Sequence, residues 1–281
     1  MSGALDAASL AERVAEGDRR ALARAITLVE SARPDHRRDA RELLAALLPR
    51  AGGSIRVGIT GAPGVGKSTL IEALGLRLVE GGRRLAVLAV DPSSAVSGGS
   101  VLGDKTRMEQ LARHPAAFIR PSPSGGVLGG VARRTRDAVL LAEAWGADVV
   151  MVETVGVGQS EVAVASAVDV SVLLVAPGGG DDLQGIKRGV MELADVVAVT
   201  KADGDLLAQA ERTRADYASA VGLPGARGGA PVLAVSARDE QGIDELWDAV
   251  RERHEAARAD GRLQARRAEQ ARDWMWVEVR E

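Results

Sequence analysis

The chain has 281 residues, 46% of them hydrophobic and 27% charged, with a formal net charge of −3, which is enough to bury one large core with appendages. That charge balance gives no general attraction for nucleic acid or an anionic membrane. The absence of cysteine excludes disulfides and thiolate metal ligands, and argues against a zinc-ribbon or redox role.

Residues 1–10 carry no basic, apolar leader pattern, and no stretch approaches the length of a bilayer span, so a cytoplasmic protein is expected. Residues 1 to about 50 read as helices. Leu10, Val14, Leu22, Ile26, Leu28 and Val29 are spaced for one apolar face, Arg33-Pro34-Asp35 breaks the run, and a second short helix covers about 38–48. After the Ala51-Gly52-Gly53 linker the pattern changes to short apolar runs at 55–60, 85–90, 149–152, 170–176, 196–200 and 232–235. Helical spacing, as in Val131, Thr135, Val139, Ala142 and Trp145, separates most of them. Apolar strands alternating with helices predict a three-layer α/β domain with a mostly parallel sheet covered on both faces. From about Arg251 the chain is helical and charged again, ending at Trp274-Met275-Trp276.

The run Gly61-Ala62-Pro63-Gly64-Val65-Gly66-Lys67-Ser68 fits the phosphate-binding pattern G-x-x-x-x-G-K-[ST] at every fixed position. A strand leads into it, and Ser68-Thr69-Leu70 opens a helix. Glycines let backbone N–H groups turn inward around phosphate oxygens, and the helix dipole adds to the attraction. In that setting Lys67 reaches the β and γ phosphates and the Ser68 hydroxyl ligates Mg²⁺, whereas a bland strand-to-helix turn does not need this spacing. Only four of the 36 basic residues are lysine: Lys67, Lys105, Lys187 and Lys201. A lysine retained against such a bias suggests a place that arginine's broad planar fork does not fit.

Two runs end in carboxylates at the edge where doubly wound sheets bind ligands, Val90-Asp91-Pro92 and Val152-Glu153-Thr154. Both suit Mg²⁺, which keeps several waters and takes few protein oxygens. Alternatively, Asp91 caps the turn before Pro92 and Glu153 lies in a solvated loop. Asp104, in Gly98-Gly99-Ser100-Val101-Leu102-Gly103-Asp104-Lys105-Thr106, reads either as a helix N-cap or as part of a loop that closes on Mg²⁺ and the γ phosphate.

Thr200-Lys201-Ala202-Asp203 resembles the guanine-reading N/T-K-x-D of GTPases. The Asp203 carboxylate can accept from guanine N1–H and the exocyclic amine, a pattern adenine does not present, while the Lys201 stem lies flat against the ring. One strand later, Val235-Ser236-Ala237 resembles the second base-contacting element.

Taken together, GAPGVGKSTLIEALG, VDPSS, GGSVLGDKTRM, VETVGVGQSE, PGGGDDLQGIKRG and TKAD resemble the MeaB/ArgK-type GTPases, the methylmalonyl-CoA-mutase-associated G-protein chaperones, from roughly Leu10 to Trp276. The resemblance implies a P-loop fold of the signal-recognition/MinD-like class. It implies a helical extension at 1–50, a GTPase domain at 51–250 and a C-terminal helical region at 251–281 that supports a homodimer. Asp91, Asp104 and Glu153 would arrange Mg²⁺ and its waters with Ser68, residues 154–161 would form a second switch, and residues 177–189 a third that signals to the partner. Asp181, Gln184 and Lys187 stand at the matching positions of that third switch; from the residues alone the same stretch is a glycine-rich approach to a helix. The implied activity is Mg²⁺-dependent hydrolysis of GTP to GDP, gating adenosylcobalamin loading onto an acyl-CoA mutase, with no nucleic-acid or membrane partner. Two departures from the family pattern are Thr200 in place of the usual Asn and a C-terminal region that extends further in the family. Trp274 and Trp276 fit core packing or an interface equally well. A transport-system ATPase or kinase, a GTP-dependent metallochaperone and a non-hydrolysing GTP-binding scaffold are the competing functions. Metal delivery would call for Cys or His clusters, and His36, His114 and His254 are widely separated.

Overall fold

Strands made almost wholly of valine, leucine and isoleucine are stable only where both faces are covered. In the computed structural model, which describes residues 6–31, 33–91, 108–123, 128–154, 166–178, 194–221 and 229–280, they form one parallel sheet. Its strands are β1 (Ile55–Gly61), β2 (Leu85–Asp91), β3 (Ala117–Pro123), β4 (Val149–Thr154), β5 (Val170–Val175), β6 (Val196–Val199) and β7 (Val232–Ala234). Their order is β3-β2-β4-β1-β5-β6-β7, so the strand that leads into the glycine-rich loop lies at the centre. Alternate residues of β4 serve opposite layers, Val150 and Val152 in one core and Val149 and Met151 in the other.

The first layer consists of α1 (Ala7–Ala15), α2 (Arg19–Glu30), α3 (Pro34–Leu47) and α6 (Leu128–Ala144). Leu22, Ile26, Leu43 and Trp145 pack there against Leu88, Phe118 and Val152. The N-terminal helices thus contribute directly to a core that covers the sheet. The second layer holds α4 (Lys67–Glu80), α5 (Glu109–Arg113) and α8 (Ile243–Ala259). There Leu70, Ile71, Leu74, Leu111, Leu246 and Val250 meet Val57, Ile59 and Val87. Helix α7 (Leu207–Val221) closes the β6–β7 end, with Tyr217 beside Leu173 and Val197.

Several boundaries differ from the sequence expectation for identifiable reasons. The apolar stripe over Leu10 to Val29 is split by Gly17, at φ +86°, and by Asp18, whose carboxylate accepts from Arg20 N at 2.7 Å and Ala21 N at 3.2 Å to cap α2. Pro34 opens α3 at its first turn, where a missing N–H costs nothing, so that helix starts earlier than 38. Strand β3 is an addition to the expected set. Its Pro121 and Pro123 argue against a central strand but are tolerated at an edge, and β3 pairs with β2 alone.

The C-terminal helix α9 (Arg262–Arg280) follows a break at Gly261, φ +80°. It is clamped to the N-terminal ends of the strands. Arg267 donates to Asp169 at 2.6 and 2.9 Å and to the carbonyls of Gly52 and Ser54, and Gln270 donates to Val168 O. Burial alone would lower the Arg267 pKa, but the Asp169 carboxylate outweighs it and holds the guanidinium above its ordinary value. Beside it, Arg56 and Glu143 form a buried ion pair at 2.7 Å, with Ser54 Oγ donating to the same carboxylate. The two tryptophans separate: Trp274 lies under the Arg136 guanidinium at 5.5 Å, whereas Met275 and Trp276 are 52% and 56% exposed.

Candidate functional site

The glycine-rich loop takes a conformation that its glycines make possible. Gly61 has φ +153°, and a Cβ there would stand 2.6 Å from the Leu174 carbonyl oxygen; Gly66, the N-cap of α4, has φ +102°. Between them Val65 is buried in the core and anchors the loop, while Ala62, Pro63 and Gly64 are exposed. Lys67 and Ser68 begin α4 and are both 8% exposed. The Lys67 ammonium donates to Gly61 O at 2.8 Å and Ala62 O at 3.1 Å, which folds the side chain back along the loop. A cation, a helix N-terminus and turned backbone N–H groups in one place suit an anion.

Glu153, near the end of β4, is 7% exposed and accepts the Ser68 hydroxyl at 3.1 Å. Next to it the Thr154 hydroxyl donates to Thr60 Oγ1 at 3.0 Å and ties β4 to β1 where the loop begins. The backbone of Asp91 ends β2, one residue past the Val90–Thr154 pairing, so the Asp91 and Glu153 positions share one sheet edge. The side chain of Asp91 lies outside what is described, as do Asp104, Lys105, Asp181, Gln184 and Lys187 altogether. Hydroxyl and carboxylate are hard oxygen donors, and the Ser68–Glu153 pair therefore fits Mg²⁺.

A second group of loops meets the first from the β6–β7 side. The buried Thr200 hydroxyl donates to Val65 O at 2.7 Å and lies 3.2 Å from Val175 O. Lys201 has left-handed backbone at φ +54°, rare for a residue with a side chain, and its Nζ donates to Gly64 O at 2.8 Å. Asp203 accepts the Ser236 hydroxyl at 2.7 Å, and Ser236, with no exposed surface, also accepts from Asp239 N at 3.0 Å. This fixes one carboxylate oxygen of Asp203 and leaves the other edge for a ligand. A cavity of about 200 Å³ lies between these loops, walled by Val65, Thr69, Leu70, Lys201, Asp203, Val235 and Ala237. A roomier hollow of about 410 Å³ sits at the opposite pole beside α8 and α9. Its Arg262 and Arg266 are paired with Asp260 and Asp195, and among the described residues it has neither a glycine-rich loop nor a helix N-terminus carrying a lysine such as the first site provides.

The structure thus brings the phosphate-loop residues 61–69, Glu153, and Thr200, Lys201, Asp203, Ser236 and Ala237 to one edge of the sheet. Sequence reasoning missed three contributors. Arg238 completes the cavity wall directly after Ser236-Ala237, and its position next to that motif was the available signal. The Thr60–Thr154 hydroxyl pair and the Thr200–Val65 bond are contacts between residues far apart in the chain, for which local patterning offers no cue.

The chain is similar to several known proteins over most of its length. The family model described as methylmalonyl-CoA mutase-associated GTPase MeaB matches residues 22–281. A Caulobacter vibrioides protein named as a GTPase is 57% identical, covering 100% of this chain and 87% of its own length. The mouse mitochondrial methylmalonic aciduria type A homolog is 51% identical over 95% of this chain and 67% of its own. Among solved structures, a LAO/AO transport system kinase superposes with a TM-score of 0.84 at 40% identity, covering 100% of this chain and 85% of that one.

Proposed function

The chain belongs to the MeaB family of methylmalonyl-CoA mutase-associated GTPases, and on that premise we propose that this GTPase serves as a G-protein chaperone of an adenosylcobalamin-dependent acyl-CoA mutase. In this reading, GTP binding and hydrolysis gate loading of the cofactor onto the mutase and removal of damaged cofactor. The observation that carries it is the family match over nearly the whole chain, together with a mammalian relative named for methylmalonic aciduria.

The residue roles in this reading are drawn from the site geometry and, for Asp91, Asp104, Asp181, Gln184 and Lys187, from the family resemblance alone. Phosphate oxygens replace the Gly61 and Ala62 carbonyls as partners of the Lys67 ammonium, and the backbone N–H groups of Gly64 and of residues 66–69 surround them. Ser68 and Glu153, with Asp91 and Asp104, hold Mg²⁺ and its waters. When bound, the ion neutralises charge on the β and γ phosphates. Asp203, oriented by Ser236, accepts from guanine N1–H and the exocyclic amine. The Lys201 stem covers one face of the base, Thr200 braces the base loop on the phosphate loop, and Ala237 adds to the wall. Asp181, Gln184 and Lys187 report the nucleotide state to the mutase. The exposed Met275 and Trp276 on α9 fit contact with a second copy. Among the described residues no helix is long and apolar enough to cross a membrane.

Co-purification with candidate cobalamin mutases tests the proposal: a complex that forms with GTP or its slowly hydrolysed analogue, and changes with GDP, is expected. Absence of a complex with every such mutase would remove the chaperone role. The name of the superposed transport system kinase favours a second reading, a kinase. The Asp203–Ser236 arrangement weighs against ATP as its donor, and a competition titration of GTP against ATP separates the two readings.

A further inference from the structure

Strand β7 ends the sheet and pairs with β6 alone among the described strands. Val197 N donates to Pro231 O at 2.9 Å and Val235 N donates to Val199 O at 2.8 Å. Backbone groups alternate in direction along a strand, so those of Leu233 turn toward β6 and those of Val232 and Ala234 turn outward. A Cβ on Gly242 would stand 2.4 Å from Ala234 O, so that carbonyl is covered. Among the described residues, nothing pairs with the amide or carbonyl of Val232 or with the amide of Ala234. This open edge is the floor of a groove of about 680 Å³ between α7 and the start of α8. Val232 and Ala234 pack on the α7 side of the sheet and Leu233 on the α8 side. On the α7 wall Leu207 is 48% exposed, and its neighbour Leu206 39%. On the α8 wall stand Asp244 and Glu245, exposed and, among the described residues, without an ion-pair partner. Glu211 is paired with Arg214 and Glu240 with Arg77, so the uncompensated charge of the groove is that of Asp244 and Glu245.

A short edge and flanking charge are common means of keeping a strand unpaired, and acidic residues in a first helical turn also complement the helix dipole. Neither calls for two exposed leucines beside free backbone donors and acceptors, which is surface that an added strand covers. We propose that the β7 edge is a docking site for an extended segment of a partner protein, one whose side chains alternate between apolar and basic. Successive side chains of such a strand point to opposite faces, so the apolar ones turn toward Leu207 and the basic ones toward Asp244 and Glu245. A second copy of this chain is a poorer occupant, because pairing two such edges sets their acidic residues against each other. The groove and the base cavity have no wall residue in common, so docking does not require an empty nucleotide site. The proposal does not depend on which enzyme the GTPase serves.

The test uses the full chain loaded with GDP and a fluorescein-labelled peptide of alternating valine and arginine, about eight residues long, read by fluorescence anisotropy. Binding with a dissociation constant of about 100 µM or tighter is expected, and a peptide of the same composition with its valines and arginines in separate blocks should bind at least about tenfold more weakly. N-methylation of one alternate set of peptide residues removes the amides that face β7 and should abolish binding, whereas methylation of the other set should leave it within about threefold. The Asp244→Lys/Glu245→Lys variant should bind the Val-Arg peptide at least about tenfold more weakly and accept an alternating Val-Glu peptide in its place. Leu206→Ser/Leu207→Ser should weaken the Val-Arg peptide about fivefold. GDP affinity within about twofold of the parent shows that each variant keeps its fold. No binding by the parent, equal binding of the block peptide, or the same response to both N-methylated sets overturns the proposal. A dimer in sedimentation velocity that dissociates in Asp244→Lys/Glu245→Lys would assign the edge to a second copy and overturn it as well.

Discussion

Replacing Thr200 by valine removes one hydroxyl and keeps the branched shape, which isolates the hydrogen bond that joins the base loop to the phosphate loop. Thr200 is 4% exposed, and its hydroxyl donates to Val65 O at 2.7 Å. The other nearby carbonyl, Val175 O, already receives the Thr200 backbone N–H at 2.9 Å, so it does not depend on the side chain. The cost therefore falls on Val65, a buried residue of the loop, and leaving such an acceptor unmade costs about 1–3 kcal/mol. Urea denaturation followed by circular dichroism should show that loss, with a melting point lower by roughly 2–4 °C per kcal/mol for a chain near this size. Because the same bond sets the loop that receives phosphate, GTP should bind up to about tenfold more weakly, as measured by titration calorimetry. Thr200→Ser, which restores the donor, should recover most of both effects. A Thr200→Val protein that melts and binds GTP like the parent would refute the argument that this bond couples the two loops.

Three further outcomes follow from other parts of the structure. Asp203→Asn replaces an acceptor by a group that also donates, so GTP affinity should fall by about tenfold or more while xanthosine triphosphate, with a carbonyl in place of the amine, gains; competition binding reads the exchange. Glu143→Ala leaves Arg56 buried without its carboxylate, and should lower stability by about 3–5 kcal/mol in denaturant titrations without changing the preference for guanine over adenine. Burial depresses the His254 pKa below its ordinary 6.5, the nearby Asp169 charge opposing and Arg267 and Arg258 assisting. The unfolded chain then takes up a proton that the folded protein resists, so stability is full above about pH 6.5 and declines as pH falls through the depressed value. His254→Asn should flatten that decline in melting curves recorded from pH 7.5 to 5.

The parallel sheet was legible because both of its faces are covered. That leaves β4 and β5 as continuous buried runs, which no amphipathic pattern confuses. β3 was not, because Pro121 and Pro123 suppress the strand signal and only its edge position makes them acceptable. The phosphate loop could be read residue by residue, since its function depends on local backbone geometry at Gly61 and Gly66. The bracing around it could not. Thr200 reaching Val65, Glu72 reaching Leu111 and Thr154 reaching Thr60 are tertiary contacts that appear only once the sheet has brought distant segments together.

The central claim is that this GTPase works for a cobalamin-dependent acyl-CoA mutase, and its most direct test is steady-state GTP turnover by the purified protein with and without each candidate mutase. Slow turnover alone, a clear rise with one mutase, and loss of both in Lys67→Ala are the predicted results. Turnover that no mutase changes would contradict the claim.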